Sequence, residues 1–333
     1  MLIIIIGSCT YVAVQPNNYE VVRTRIIDAH SSLIYDTVLE YKTWATWSSW
    51  IEKKPNTKIT YSEQTNGIGG SYSWEDDDGF GNMKTITAKS STFIEQSMQF
   101  DNYEPSKVTW DFITTDKGKT KVSWTIRGDN VPFGFKLYAL FSGGFDKRIG
   151  PDFQRGLEKL DSLVIESTKK HLVVVNGITE YGGGFYLYKT TNAKDSNISQ
   201  KMAEQYSSIM TYVMKNNITM SGMPFTIYNE MNQENETVIM SNCIPVNQNI
   251  EITKDNDISC GFMSNTKVLK TTLKGNYTYL SNAWDIAFKY VEDNHLVLSQ
   301  EKPFEIYTND PGDFPNPADW TTEIYIPLVE DKI

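Results

Sequence analysis

Cysteine and histidine are scarce in this chain, and basic residues are outnumbered. The three histidines are His30, His171 and His295, and none stands beside another histidine or a plausible nucleophile motif, so serine-type catalysis has no support. The three cysteines, Cys9, Cys243 and Cys260, lack the short spacings of a zinc knuckle or a redox motif. Neither a metal nor a cofactor is therefore expected. Cys243 and Cys260 could form a disulfide outside the cytoplasm, but two free, half-buried thiols are the simpler reading. With 31 Lys and Arg against 41 Asp and Glu, the formal net charge is −10. That balance disfavours the phosphate backbone, and no nucleic-acid partner is expected. The longest acidic run, "WEDDDG" at Trp74–Gly79, reads as a solvated turn between strands; it lacks the ligand spacing of a divalent-cation loop.

Apolar residues are plentiful, at 40%, with 19 Tyr, 15 Phe and 8 Trp able to line cavities as well as fill cores. A chain of 333 residues suggests two domains. The opening "MLIIIIGSCTYVAV" ends sharply at Gln15, so residues 1–17 read as an apolar membrane or signal segment. It is short for a span and has no basic flank. A signal-anchor helix is favoured over a lipoprotein cleavage site at "IGSC" (Ile6–Cys9) and over a buried first strand. The membrane is thus the expected location, with sidedness unspecified because the first basic residue is Arg23.

The first domain is expected over residues 18–166. "YEVVRTRIIDA" alternates as a strand, and "SSLIYDTVLEYKTWATWSSWI" has helical spacing with a cap at Ser31 or Ser32. Six period-two segments follow, from "KITYSE" to "TKVSWTIRG", then a long amphipathic helix marked by Ile149, Phe153, Leu157, Leu160 and Val164. This is the element order of a helix-grip α+β fold. "WATWSSWIEKKP", "GIGGSYSWE" with "GFGN", and "TKVSWTIRGD" resemble the SRPBCC (START-like, polyketide cyclase/dehydrase) superfamily over about 145 residues. The resemblance implies a cavity for hydrophobic small molecules. Trp47, Trp50, Tyr72, Trp74, Trp110 and Trp124 are its candidate wall or rim residues, each of which could equally be core.

After a linker at 167–176, a second α+β domain is expected over 177–333, and here the chain repeats itself. "PFTIY" at Pro224–Tyr228 returns as "PFEIY" at Pro303–Tyr307, differing only at Thr226 and Glu305. Each copy follows a strand and an amphipathic helix and precedes a strand with Pro near its end, "VIMSNCIPV" and "TTEIYIPLV". Two β-α-β-β halves would pack about a pseudo-twofold axis and leave a groove. The pattern, with "KGNYTYL", "PFEIYTNDPGDFP" and "TTEIYIPL" in order, resembles the GyrI-like small-molecule-binding domain, also the effector-binding module of AraC-type regulators. One departure is Gly275-Asn276-Tyr277 where that family usually has Gly-Pro-Tyr.

Strand alternation turns Glu323 towards the groove if Thr322, Ile324 and Ile326 face the core. The resemblance implies a ligand-contacting Glu in this stretch, while the bland reading is a solvent-facing strand residue. The other half has Ser241 at the equivalent place. Tyr228, Tyr277, Trp284, Tyr307 and Tyr325, with Trp74 and Trp110 in the first domain, are the expected ligand-binding aromatics. The leading expectation is a binding protein, sensing or sequestering hydrophobic small molecules, cationic ones included. One rival is a small-molecule hydrolase in which Glu323 assists water beside Tyr307 or Tyr325; the other is a non-catalytic interaction protein.

Overall fold

The computed structural model describes residues 10–232, 235–252 and 257–330. The chain divides into two compact units at Ser167/Thr168.

The first unit begins with β1 (Tyr19–Ile27) and α1 (Ser31–Leu39), followed by two short helices, α2 (Trp44–Trp47) and α3 (Ser49–Lys53). Sequence spacing suggests one continuous helix here, but Glu40 and Ser48 adopt extended backbone, with ψ of 107° and 126°. The breaks let Tyr41, Trp44 and Trp47, at 0%, 2% and 0% exposure, bury together with Ile34, Tyr35 and Leu39 of α1, a set that a continuous helix would spread around most of its circumference. β2 (Lys58–Tyr61), β3 (Ser71–Asp76), β4 (Gly79–Lys89), β5 (Phe93–Phe100), β6 (Ser106–Thr114) and β7 (Thr120–Gly128) complete an antiparallel sheet in the order β1-β7-β6-β5-β4-β3-β2. Trp110 on β6 lies directly opposite Trp124 on β7, their rings stacked with centroids 4.3 Å apart.

Two helices close this unit: α4 (Phe133–Ser142), which the sequence reading does not anticipate, and α5 (Phe145–Thr168). α5 buries Phe153, Leu157, Leu160 and Val164 against the sheet. Each such side chain contributes roughly 1.5–3 kcal/mol of transfer free energy. Phe153 stacks on Trp124 at 3.9 Å, and the close approach passes over Gly156, where an added Cβ would sit 2.8 Å from Trp124 Cζ3.

The membrane anchor expected at the amino terminus is corrected. Among the described residues no helix is long and apolar enough to cross a membrane. Residues 10–13 form one helical turn, Val12 is 1% exposed, and Lys136 Nζ on α4 donates to the carbonyls of Ala13 (3.3 Å) and Gln15 (2.8 Å). This end of the apolar segment is folded onto its own domain. Residues 1–9, including Cys9, lie outside the described residues.

The second unit starts earlier than expected: from Leu172 the proposed linker is strand β8 (Leu172–Tyr181). β9 (Gly184–Lys194), α6 (Ile198–Lys215), β10 (Phe225–Asn232) and β11 (Thr237–Val246) form one half. After β12 (Ser259–Met263), the other half is β13 (Thr266–Lys274), α7 (Leu280–Asp293), β14 (Phe304–Tyr307) and β15 (Thr321–Pro327). All strands join one antiparallel sheet, β12-β9-β11-β10-β14-β15-β13-β8. At its centre the two copies of the repeated phrase pair with each other, Phe225 with Ile306, Thr226 with Glu305 and Ile227 with Phe304. The Tyr228 amide donates to the Pro303 carbonyl at 2.9 Å, and the Tyr307 amide to Pro224 at 3.1 Å.

α6 and α7 cover one face of this sheet with Ile209, Val213, Trp284 and Val291. On the other face Phe225, Ile227, Cys243, Val268, Phe304 and Tyr325 form their own apolar cluster. Cys243 and Cys260 are both free thiols. Strand β9 lies between their strands, and Cys260 packs with the α6-side cluster rather than with Cys243, so no bridge is within reach.

Candidate functional site

The central seam sets the site. Along β14, Phe304 and Ile306 join the apolar cluster on the face away from α6 and α7, so the alternate residues Glu305 and Tyr307 point towards the helices. β10 does the same with Thr226 and Tyr228. Glu305 is 1% exposed. Trp284 Nε1, carried in by α7, donates to its Oε1. The hydroxyls of Tyr228 and Tyr307 donate to Oε2 at 3.0 and 2.9 Å. Glu305 forms no ion pair among the described residues, whereas most carboxylates buried this deeply are paired with a cation.

Burial pushes the Glu305 carboxyl above its ordinary range, and the three hydrogen bonds oppose that shift without cancelling it. The Tyr228 and Tyr307 hydroxyls are driven far upward, by burial first and by the neighbouring carboxylate second, so both stay protonated as donors.

Thr226, the counterpart of Glu305 in the other copy, is fully buried and heads a polar chain. Its hydroxyl donates to Asn242 Oδ1 at 2.9 Å, and Asn242 Nδ2 donates to Gln205 Oε1 at 2.6 Å. Tyr206 on α6 lies 2.9 Å from Thr226 Oγ1 and Tyr307 3.4 Å from it. One half of the seam thus presents an acid and the other an uncharged network, joined through Tyr307. Tyr277 edges against Tyr307 with centroids 5.6 Å apart, its hydroxyl pushed up to about 12 by burial. Tyr228 and Trp284 meet edge to face at 5.7 Å.

The structure therefore gathers Tyr228, Tyr277, Trp284 and Tyr307 from the sequence reading around Glu305, a residue that reading does not single out. Its signal was the one charged letter in an otherwise repeated apolar phrase. Glu323 and Tyr325 lie on the opposite face. There Lys270 Nζ pairs with Glu323 Oε1 at 2.7 Å, and the Tyr325 hydroxyl donates to Oε2 at 2.6 Å. The Glu323 side chain is 22% exposed. Tyr325 stacks on Phe304 at 5.0 Å, with Lys270 Nζ 5.7 Å above its ring. Ser241 is held by Asn229 and Thr190, each at 2.8 Å.

In the first unit, Trp47, Trp110 and Trp124 are core, and Trp110 Nε1 donates to Gln96 Oε1 at 3.1 Å. Trp50, Tyr72 and Trp74 instead line a cavity of about 530 Å³.

Residues 185–329 match the family model described as the GyrI-like small molecule binding domain, wholly within the second unit. Similar solved structures include the crystal structure of the EcmrR C-terminal domain, 22% identical, covering 48% of this chain and 99% of that one with a TM-score of 0.41. The cryo-EM structure of an EcmrR–DNA complex is 20% identical, covering 56% and 70%, with a TM-score of 0.42. A crystal structure of a protein from Chromobacterium violaceum is 14% identical, covering 44% and 96%, with a TM-score of 0.32. No curated protein matches the chain.

Proposed function

We propose that the second unit captures apolar small molecules carrying a positive charge, with Glu305 as counter-charge and Tyr228, Trp284 and Tyr307 as aromatic walls. The observation that carries this reading is a buried carboxylate with three aromatic donors and no cation partner among the described residues. An entering cation would supply the missing charge and meet ring faces that favour it. Glu323 is the weaker counter-ion because Lys270 already neutralises it. Since Glu305 is 1% exposed, a ligand reaches it only after Trp284 or a tyrosine swings aside, which couples occupancy to the position of α7. Such coupling suits sensing as well as sequestration. The SRPBCC likeness of the first unit and the descent of the second from a duplicated module belong to the same reading.

Calorimetric titration of the full chain with 10-methylacridinium, and with uncharged acridine at alkaline pH, tests it. Glu305→Gln is expected to weaken the cation at least about tenfold and the neutral ring less than about twofold, while Glu323→Gln changes neither much. Equal cation affinity in wild type and Glu305→Gln would remove the proposal. A second reading, hydrolysis of electrophilic small molecules, is favoured by the 2.9 Å contact between the Tyr307 hydroxyl and a carboxyl of elevated pKa. Turnover lost in Glu305→Gln with binding retained would select it.

A further inference from the structure

The first unit has a cavity of its own, lined by none of the residues around Glu305. Its cavity of about 530 Å³ is of the size that encloses a drug-like molecule. Trp44, Trp50, Met83, Met98 and Phe100 make the wall predominantly apolar. Two aromatic donors, on Tyr72 and Trp74, are among its polar groups. Tyr72 and Trp74 sit on the same side of β3, their rings 5.7 Å apart. Neither the Tyr72 hydroxyl nor Trp74 Nε1 has a hydrogen-bond partner among the described residues, although the nearby Tyr41 hydroxyl is 3.0 Å from Thr85 Oγ1 and Trp44 Nε1 reaches the Val38 carbonyl at 2.8 Å.

Tyr72 is enclosed by protein yet keeps accessible surface, because that surface faces the cavity. Burial drives its hydroxyl pKa upward, so it remains a donor throughout the physiological range. Gly81 lies opposite Trp74 on β4, and an added Cβ there would stand 2.3 Å from Trp74 Cζ2. The glycine leaves room for the indole to lie flat over the strand. Both donors are left for a molecule in the cavity to engage, and a ligand acceptor would do so.

Charge narrows the ligand further. Lys53 is held by Asp152, and Lys54 by Asp76 and Asp78, and the lining has more carboxylates than cations. An anionic ligand would find the two lysines engaged and further carboxylates, Glu104 and Asp129, nearby.

We propose that this cavity binds an uncharged apolar molecule through a buried acceptor oxygen, a ketone, ester or amide carbonyl, that takes a hydrogen bond from the Tyr72 hydroxyl, with Trp74 as the adjoining donor wall. The matched probes are 6-propionyl-2-(dimethylamino)naphthalene and 2-(dimethylamino)naphthalene, which differ by the carbonyl arm. Titrated into the full chain, the first probe is expected to lose about tenfold in affinity in Tyr72→Phe, and the second less than about twofold. Trp74→Phe should weaken the carbonyl probe by a smaller factor, and Met98→Trp, which fills the cavity, should abolish binding of both. Failure of either probe to bind wild type, equal losses for both in Tyr72→Phe, or retained binding in Met98→Trp, which would place the probes outside this cavity, would each overturn the assignment.

Discussion

Glu305 carries a desolvation cost of several kcal/mol as an ion, which the fold opposes with hydrogen bonds rather than with a cation. Three bonds to a charged acceptor return about 1.5–3 kcal/mol each, so the two sides come close to balancing. Desolvation keeps the upper hand, which is why the carboxyl titrates above its ordinary value. The sign for stability follows directly. The folded chain binds this proton more tightly than the unfolded chain, so the contribution is complete below the ordinary carboxyl range and is lost as pH rises through the elevated midpoint. Thermal melts between about pH 5 and about pH 8 should show wild type losing stability relative to Glu305→Gln as pH increases. A difference that stays constant across that range would contradict it. Strand alternation correctly describes which side Glu323 shares with Tyr325, but it does not say that Lys270 stands on the neighbouring strand, in register with Tyr325. The sequence also marks Glu305 as the odd letter in a repeat. Its burial was not legible, because that depends on the two copies pairing with each other at the centre of the sheet.

Strands and the two long amphipathic helices could be read from periodicity because one face of each is apolar and the other is not. The breaks after α1 were illegible: the apolar spacing continues through Glu40 and Ser48, and only the packing of Tyr41, Trp44 and Trp47 requires a change of direction. α4 was missed because Phe133, Leu137, Leu140 and Phe141 remain exposed, leaving no clean amphipathic pattern. At α5 the competing effects can be weighed. Gly156→Ala gains up to about 1 kcal/mol of helix propensity. Against this, the new methyl would stand 2.8 Å from a Trp124 ring stacked between Trp110 and Phe153, which has nowhere to move. Overpacking of this kind costs about 1–3 kcal/mol, so a net loss is expected in urea unfolding. A stabilised variant would show that the helix can withdraw from the sheet.

On the scale of the whole molecule, the two compact units carry the two proposed sites, an acid for a cation in one and a hydroxyl for a carbonyl in the other. The apolar start of the chain read as a membrane segment on hydropathy alone; the tertiary contacts of Val12, Ala13 and Gln15 that fold its end onto α4 lie beyond what hydropathy registers. The division of labour rests on Glu305 being the counter-charge for ligand, and proton linkage tests that most directly. Cation binding favours the ionised carboxylate, so calorimetry of 10-methylacridinium in buffers of different ionisation enthalpy should reveal proton release near the Glu305 midpoint, absent in Glu305→Gln. Cation binding with no proton exchanged at any pH, or with the same release in Glu305→Gln, would contradict it.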